Sequence, residues 1–216
     1  MPLKLAPASE EDLPRIIDIQ FAAFGEDWFN QILFPPPVAA ETKTASVTRT
    51  RNEMTNSQNR IVKCIDTDAD NEIIGYAKWH IYEQQRPESE WNVTPRREWG
   101  DGTNVEAADE FWDKLLEYRR RINGGRAHCL LGILTTDPPH QRRGAGAMLV
   151  QWGCEIADEL GLECYLEASD AGYRLYKSKG FRDVGYLDMD MSKYDKTRGM
   201  HRHTCMIRPF KGKAEA

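Results

Sequence analysis

The chain lacks several patterns that would each have fixed a class of protein. It has no Cys-x-x-Cys pair: Cys64, Cys129, Cys154, Cys164 and Cys205 are scattered, odd in number and mostly set in apolar surroundings. That argues against a disulfide framework, and the thiols are expected to be reduced in a cytosolic core. No apolar run approaches the ~18 residues of a membrane-spanning helix. Met1-Pro2-Leu3-Lys4 also lacks the apolar core of a secretory leader. The expectation is a cytoplasmic protein with no membrane partner. No long basic run is present, and the formal net charge is -5. A nucleic-acid partner is therefore not expected, and a cationic substrate suits the charge better. No internal repeat is visible.

What is present fits one α/β domain. The 216 residues are 40% hydrophobic and 29% charged, enough to bury a core and stay soluble. Leu3 to Ala6 reads as a strand. Ser9 and Asp12 make an approximate capping box before a helix with Leu13, Ile16, Ile17, Gln20 and Phe24 on one face. Trp28 to Phe34 is apolar and ends at Pro35-Pro36-Pro37, and residues 40–56 suit a more exposed helix. Arg60–Asp66 and Ile73–Ile81 form a hairpin, the latter with Ile73, Gly75, Ala77, Trp79 and Ile81 on one face. Residues 82–104 read as an irregular insertion, and Val105–Arg121 as an amphipathic helix.

Ala127–Thr135 is apolar on both alternating faces apart from His128, which marks a central strand covered on both sides. A helix over Ala145–Leu160 stops at Gly161, followed by a strand, Glu163–Ala168, and a short helix, Gly172–Lys179. Phe181–Leu187 and Thr204–Phe210 make a closing strand pair, with the polar stretch Ser192–Arg202 as its loop. The domain is taken as residues 1–210, with 211–216 a flexible tail.

The chemistry concentrates in Asp137-Pro138-Pro139-His140-Gln141-Arg142-Arg143-Gly144-Ala145-Gly146, between the central strand and its helix. A dinucleotide loop needs Gly-x-Gly-x-x-Gly, but Leu149 stands at the third position, and the Gly-Lys-Ser/Thr of a P-loop is absent. Gln141-Arg142-Arg143-Gly144-Ala145-Gly146 satisfies Gln/Arg-x-x-Gly-x-Gly/Ala in full. A helix N-terminus offers unpaired N–H donors and roughly half a positive charge. Glycines let a pyrophosphate approach the backbone, and arginines add fixed charge. Alone, the loop is equally a tight strand–helix turn.

With a second segment it becomes specific. Ser169-Asp170-Ala171-Gly172-Tyr173-Arg174-Leu175-Tyr176, followed by Gly180-Phe181, stands downstream at the right separation. The chain here resembles the GNAT (GCN5-related N-acetyltransferase) superfamily over Leu130 to about Gly185. Thr136 replaces the usual aliphatic residue, and Ser169 stands where Asn is common. The resemblance implies a mixed central sheet of about six or seven strands flanked by helices, with a splayed central strand pair. It implies acetyl-CoA as acyl donor, an amine acceptor of unknown identity with a small molecule favoured, and transfer in a ternary complex. Family members often dimerise. A non-catalytic acyl-CoA-binding module and an acyltransferase for longer acyl-CoA remain open.

Roles carry over by position. The backbone of Leu134 and Thr136 is assigned to pantetheine, and an N–H near Leu134 or Thr135 to the oxyanion. Gln141, Arg142, Arg143, Gly144, Ala145 and Gly146 are assigned to pyrophosphate. Ser169 and Tyr173 join the donor site. Tyr176 aligns with the general acid that protonates the departing thiolate, with Tyr173 as substitute. Glu167 is the first candidate base, and His80 and His128 are others. Cys129 and Cys164 lack an activating partner, so an acetyl-cysteine intermediate is disfavoured. His201, His203 and Cys205 alternate as zinc ligands would, but without a fourth, and no metal is expected. Trp28, Phe29, Phe34, Trp91 and Trp99, with Glu26, Asp27, Glu98 and Asp101, suit either an acceptor pocket or a minor core.

Overall fold

The computed structural model describes residues 2–95 and 97–212. Residues 213–216 of the expected tail lie outside the described residues. The strands are β1 (Leu3–Pro7), β2 (Asn59–Asp66), β3 (Glu72–Tyr82), β4 (His128–Thr136), β5 (Cys164–Ala168), β6 (Arg182–Asp190) and β7 (Met200–Arg208). The helices are α1 (Leu13–Phe24), α2 (Trp28–Leu33), α3 (Ala40–Met54), α4 (Glu88–Trp91), α5 (Val105–Ile122), α6 (Ala145–Leu160) and α7 (Asp170–Ser178).

Local chemistry accounts for most boundaries. The Ser9 N–H and hydroxyl both donate to Asp12 Oδ2, at 2.7 and 2.9 Å, opening a 3-10 turn that runs into α1. Leu13, Ile16, Ile17 and Ile19 of α1 are fully buried. Gly161, at φ 68°, ends α6 in the left-handed conformation usual at helix ends. Among its described residues, the insertion at 82–104 contains one helical turn, α4, and is docked at both ends. Arg86 N–H donates to the Gly125 carbonyl at 2.8 Å, and Trp99 Nε1 donates to Asp109 at 2.8 Å.

The seven strands form one sheet in the order β1-β2-β3-β4-β5-β7-β6. Only β4 and β5 are parallel neighbours. One face packs on α6 through Trp79, Leu131, Leu149 and Leu166. The other carries Ile16 of α1 against Ile61 and Tyr76, and Leu115 of α5 against Leu130 and Tyr165. An extra residue, Ile74, interrupts the β2–β3 register and turns Ile73 to the α1 face, away from the Gly75–Ile81 row with which the sequence pattern groups it.

The central pair is splayed. β4 and β5 pair at Cys129–Cys164, Leu130–Tyr165 and Leu131–Leu166, and no further. β4 runs on to Thr136 along β3, while β5 runs to Ala168 along β7. Gly132 is the extra residue in β4, lying between the Trp79–Leu131 and Lys78–Ile133 pairs. A bulge at that point bends the strand and strengthens its twist, which accounts for the gap opening directly after Leu131.

The closing hairpin differs from the sequence expectation. β6 continues to Asp190, and β7 begins at Met200, inside the stretch expected as a loop. The stretch is polar because one face of this part of the hairpin is exposed. There Arg202 forks onto Asp188 at 2.6 and 2.7 Å across the ladder. Met189 on the other face is fully buried.

Candidate active site

A cavity of about 2140 Å³ passes through the open part of the β4–β5 gap and connects the two faces of the sheet. Leu134, Thr135 and Thr136 line its middle. Gln141, Arg142, Gly144, Ala145 and Gly146 line one end, with Ser169, Leu175 and Tyr176 beside them.

The loop end is built for an anion. Among the described residues, no acceptor faces the backbone N–H groups from Arg142 to Ala147. They lie at the N-terminus of the 16-residue α6, where the helix dipole adds positive potential. Arg142 holds φ 61°, a conformation that costs a non-glycine residue roughly 1–3 kcal/mol. Gly144 holds φ 98°, and a Cβ there would meet nothing, so the dihedral alone requires glycine. At Gly146 a Cβ would lie 3.4 Å from Leu175 Cδ2 and 3.8 Å from Thr136 Oγ1. A methyl fits there, and anything longer enters the throat.

Arg143 stands apart from the other loop residues. Its guanidinium turns from the cavity to Asp66, at 2.5 Å, and holds that carboxyl below its usual range. It therefore ties the loop to the end of β2, and its charge is already met. Asp137 is likewise engaged, by Arg15. Glu72, Asp137 and His140 are the one metal-like cluster among the described residues. Arg15 also pairs with Glu72 at 2.9 Å, which supplies the positive charge an ion would bring.

Tyr176 reaches the cavity and Tyr173 does not. The Tyr176 ring lies across Gly172, where a Cβ would come within 2.6 Å of Cε2 and 3.1 Å of the hydroxyl. Only glycine at that position lets the ring lie back on its own helix. Burial pushes the Tyr176 phenol up from its ordinary value, so it stays protonated and able to donate. The Tyr173 hydroxyl instead donates to Asp183 at 2.9 Å on the exposed side. The substitute acid and donor-site role expected of Tyr173 meets this obstacle: the i,i+3 step along α7 turns it toward β6. Ser169 is the N-cap of α7, and its carbonyl accepts from Tyr173 N–H at 3.0 Å.

The base candidates separate in the same way. Glu167 lines the cavity, but both its oxygens accept from Arg119, at 2.9 and 2.8 Å. That two-point pairing commits the carboxylate to Arg119. His128 lies outside the cavity lining, its Nδ1 2.8 Å from the Arg126 carbonyl. His80 is the one placed at the splay. A Cβ on Gly132 would lie 2.9 Å from His80 Nε2, so the ring edge abuts the bulge. Its tautomer follows from its neighbour. Asn59 Nδ2 donates to the Glu53 carbonyl at 2.8 Å, which leaves Asn59 Oδ1 facing His80 Nδ1 at 2.5 Å. Nδ1 therefore carries the proton, and Nε2 presents a lone pair. Burial, with Lys78 next in effect, holds the ring well below the usual imidazole value and so neutral.

The far end of the cavity is an aromatic chamber. Trp28, Phe29, Phe34 and Trp99 line it, with Asp27 and Glu98. Trp91, Glu26 and Asp101 are not part of it. His201 stacks on Phe29 at 3.8 Å between ring centroids, and its Nε2 lies 3.2 Å from His203 Nδ1. Burial lowers His203 to about 3. Cys205 points instead into the core with Leu130 and Tyr165, so the alternating trio does not converge as zinc ligands. Cys129, pushed up to about 12 by burial, and Cys164, also raised, are buried thiols outside the cavity lining.

The splayed sheet and the N–H-lined loop define a class of α/β domain with an anion-binding helix N-terminus beside the splay. The acetyltransferase (GNAT) family model matches residues 26–181, and the chain belongs to that family. The match reaches back through α2, α3 and the β2–β3 hairpin, well before Leu130. Probable acyltransferase SID5 of Ajellomyces capsulatus is 28% identical over 101 residues, covering 44% of this chain and 63% of that protein. Among solved structures, arylalkylamine N-acetyltransferase 2 of Aedes aegypti is similar in fold. Its TM-score is 0.68 at 15% identity, over 98% of this chain and 100% of that one. The Salmonella typhimurium protein yncA, solved with acetyl-CoA, has a TM-score of 0.58 at 14% identity, over 100% and 98% of the two chains.

Two site features were not legible in the sequence. Asn59 gave no signal, since its role depends on the β2–β3 register that sets it opposite His80. Arg49, which also lines the cavity, sits in a helix with no clear apolar periodicity.

Proposed function

We propose that the protein is an acetyl-CoA-dependent N-acetyltransferase that moves an acetyl group to a primary amine by direct transfer in a ternary complex. The observation that carries this reading is the cavity crossing the sheet at the splay, anion-binding at one end and aromatic at the other. Donor and acceptor entering from opposite faces meet beside Gly132. The acetyl-CoA held by the fold relative yncA supports the choice of donor.

The chain's groups supply each step. The α6 loop holds the pyrophosphate, with Arg142 as counter-charge, while Gln141, Gly144, Ala145 and Gly146 let the backbone close on it. The open edge of β4 through Leu134, Thr135 and Thr136 pairs with the pantetheine arm and offers N–H donors to the developing oxyanion. His80 Nε2 takes the proton that the amine nitrogen gives up as it bonds to the thioester carbonyl carbon. The carbon–sulfur bond then breaks, and Tyr176 donates its proton to the departing thiolate. Glu167 is assigned to holding Arg119 rather than to proton transfer. The aromatic chamber suits a small amine. An arylalkylamine acetyltransferase among the fold relatives makes aromatic amines the first panel to try.

Isothermal titration should show acetyl-CoA binding to the folded protein, and thiol release should follow addition of an accepted amine. No binding by well-folded protein would sink the reading. Binding without thiol release across a broad amine panel would reduce it to an acyl-CoA-binding module.

A further inference from the structure

Among the described residues of the aromatic chamber, one guanidinium has no carboxylate bonded to it. Arg49, on α3, lines the cavity. Its guanidinium donates to Ser46 Oγ at 3.1 Å and lies 5.7 Å from the centroid of the Trp99 ring. Burial lowers its pKa from the usual guanidinium value, the mark of a charge partly stripped of water. Among the described residues no carboxylate comes within 4.0 Å of it. Glu53, one turn further along α3, offsets part of that burial through its charge, but its carboxylate is bonded to Lys78 at 2.6 Å and not to Arg49.

The other cations of the cavity sharpen the contrast. Arg97 pairs with Asp113 at 3.1 Å, Arg119 with Glu167 at 2.8 Å and Arg202 with Asp188 at 2.6 Å. Among the described cations of the lining, besides Arg49, only Arg142 is left without a carboxylate, and it sits in the α6 loop at the opposite end. Among the described residues, each end of the cavity thus holds one guanidinium with no bonded carboxylate. The loop arginine faces the donor's phosphates. Arg49 lies at the aromatic end.

We infer that the acceptor is an amine that also carries a carboxylate, and that Arg49 binds this carboxylate while the amine reaches the splay beside His80. The inference rests on the acetyltransferase reading and narrows its substrate. A partly buried guanidinium costs free energy unless a ligand meets it, and its planar fork matches a carboxylate with two parallel hydrogen bonds. The placement is also tied to the reacting end. Arg49 and Glu53 stand one turn apart on α3, the Glu53 carbonyl holds Asn59, and Asn59 holds His80. Anchoring a carboxylate on α3 therefore fixes it relative to the proton acceptor.

The test compares matched pairs that differ only at the acid: 5-aminopentanoate with 5-aminopentanamide, and 4-(aminomethyl)benzoate with 4-(aminomethyl)benzamide. Each is titrated calorimetrically into the CoA-loaded protein. The acid of at least one pair should bind about tenfold or more tightly than its amide. Arg49→Gln should bring the two to within about twofold, and Arg49→Lys should fall between. Circular dichroism checks that the variants fold, and the wild-type comparison stands without them. Equal affinity for acid and amide in the wild type, or a preference that survives in Arg49→Gln, overturns the inference. Binding is read apart from turnover. Acid preference without thiol release from any amine would leave the Arg49 site standing and remove the transferase reading. Acetylation of phenethylamine with no acid preference would do the reverse.

Discussion

At the scale of single residues, the site depends on which side chains keep a proton and which are already committed. Tyr176 is buried and raised, so it has a proton to give and no competing partner among the hydrogen bonds described. Tyr176→Phe should lower kcat by about 10²-fold or more, while acetyl-CoA affinity by calorimetry stays within about twofold. A variant that turned over normally would remove Tyr176 from the chemistry. Glu167 calls for the opposite expectation. Glu167→Gln leaves Arg119, only 18% exposed at its side chain, without its counter-charge. That is the kind of change that costs about 3–5 kcal/mol. The thermal midpoint should drop by many degrees, with the acid limb of the pH–rate profile unmoved. If that limb shifted in a stable Glu167→Gln protein, Glu167 would regain the role of base. His80→Gln should instead lower kcat/KM by about 10²-fold without loss of fold, and more at neutral than at alkaline pH, where the amine sheds its own proton.

At the scale of elements, the splay and the loop set the geometry, and they differed in how far the sequence revealed them. The loop was legible because its geometry asks for glycine at fixed spacing: Gly144 holds a positive φ, and Gly146 lies against Leu175 and Thr136. Helix α6 was equally plain, since Leu149, Trp152, Ile156 and Leu160 recur at helical spacing and Gly161 stops it. The closing hairpin was less so, because Arg202 and Asp188 are polar for a strand and find their reason only in each other. The Glu167–Arg119 and His80–Asn59 pairs were not legible at all. Each joins residues far apart in sequence, through a helix-to-strand contact or a strand register that no local pattern encodes. Packing of α6 on the sheet gives a check at this scale. A Cβ on Gly153 would come within 2.1 Å of Trp79 Cε2, inside a fully buried indole. Gly153→Ala should therefore destabilise the protein by about 1–3 kcal/mol without touching the site. Gly144→Ala, which meets nothing but the φ penalty, should cost only about 1–2 kcal/mol and show its main effect as weaker acetyl-CoA binding.

At the scale of the whole molecule, burial keeps three imidazoles neutral in the resting protein. Burial holds His128 at about 4, His203 at about 3 and His80 well below the usual value. Each rings in near 6.5 once the chain unfolds. Below that value the unfolded chain takes up protons that the folded chain refuses, so folding stability must fall as the pH drops. The contribution is fully present above about 6.5 and is lost progressively toward the folded values. Carboxylates lowered by their partners, such as Asp66 beside Arg143 and Asp158 beside Arg208, add to the loss only at lower pH, near their unfolded value of 3.8. The thermal midpoint should accordingly be level from pH about 8 to about 7, and should begin to fall near pH about 6, before the carboxylates titrate. His128→Gln lies outside the cavity and removes one of these groups. It should flatten the slope between pH about 6 and about 4, whatever it does to the midpoint at neutral pH. A midpoint that stayed level down to pH about 4.5 would mean that water reaches these rings and that the chamber is wetter than its packing implies.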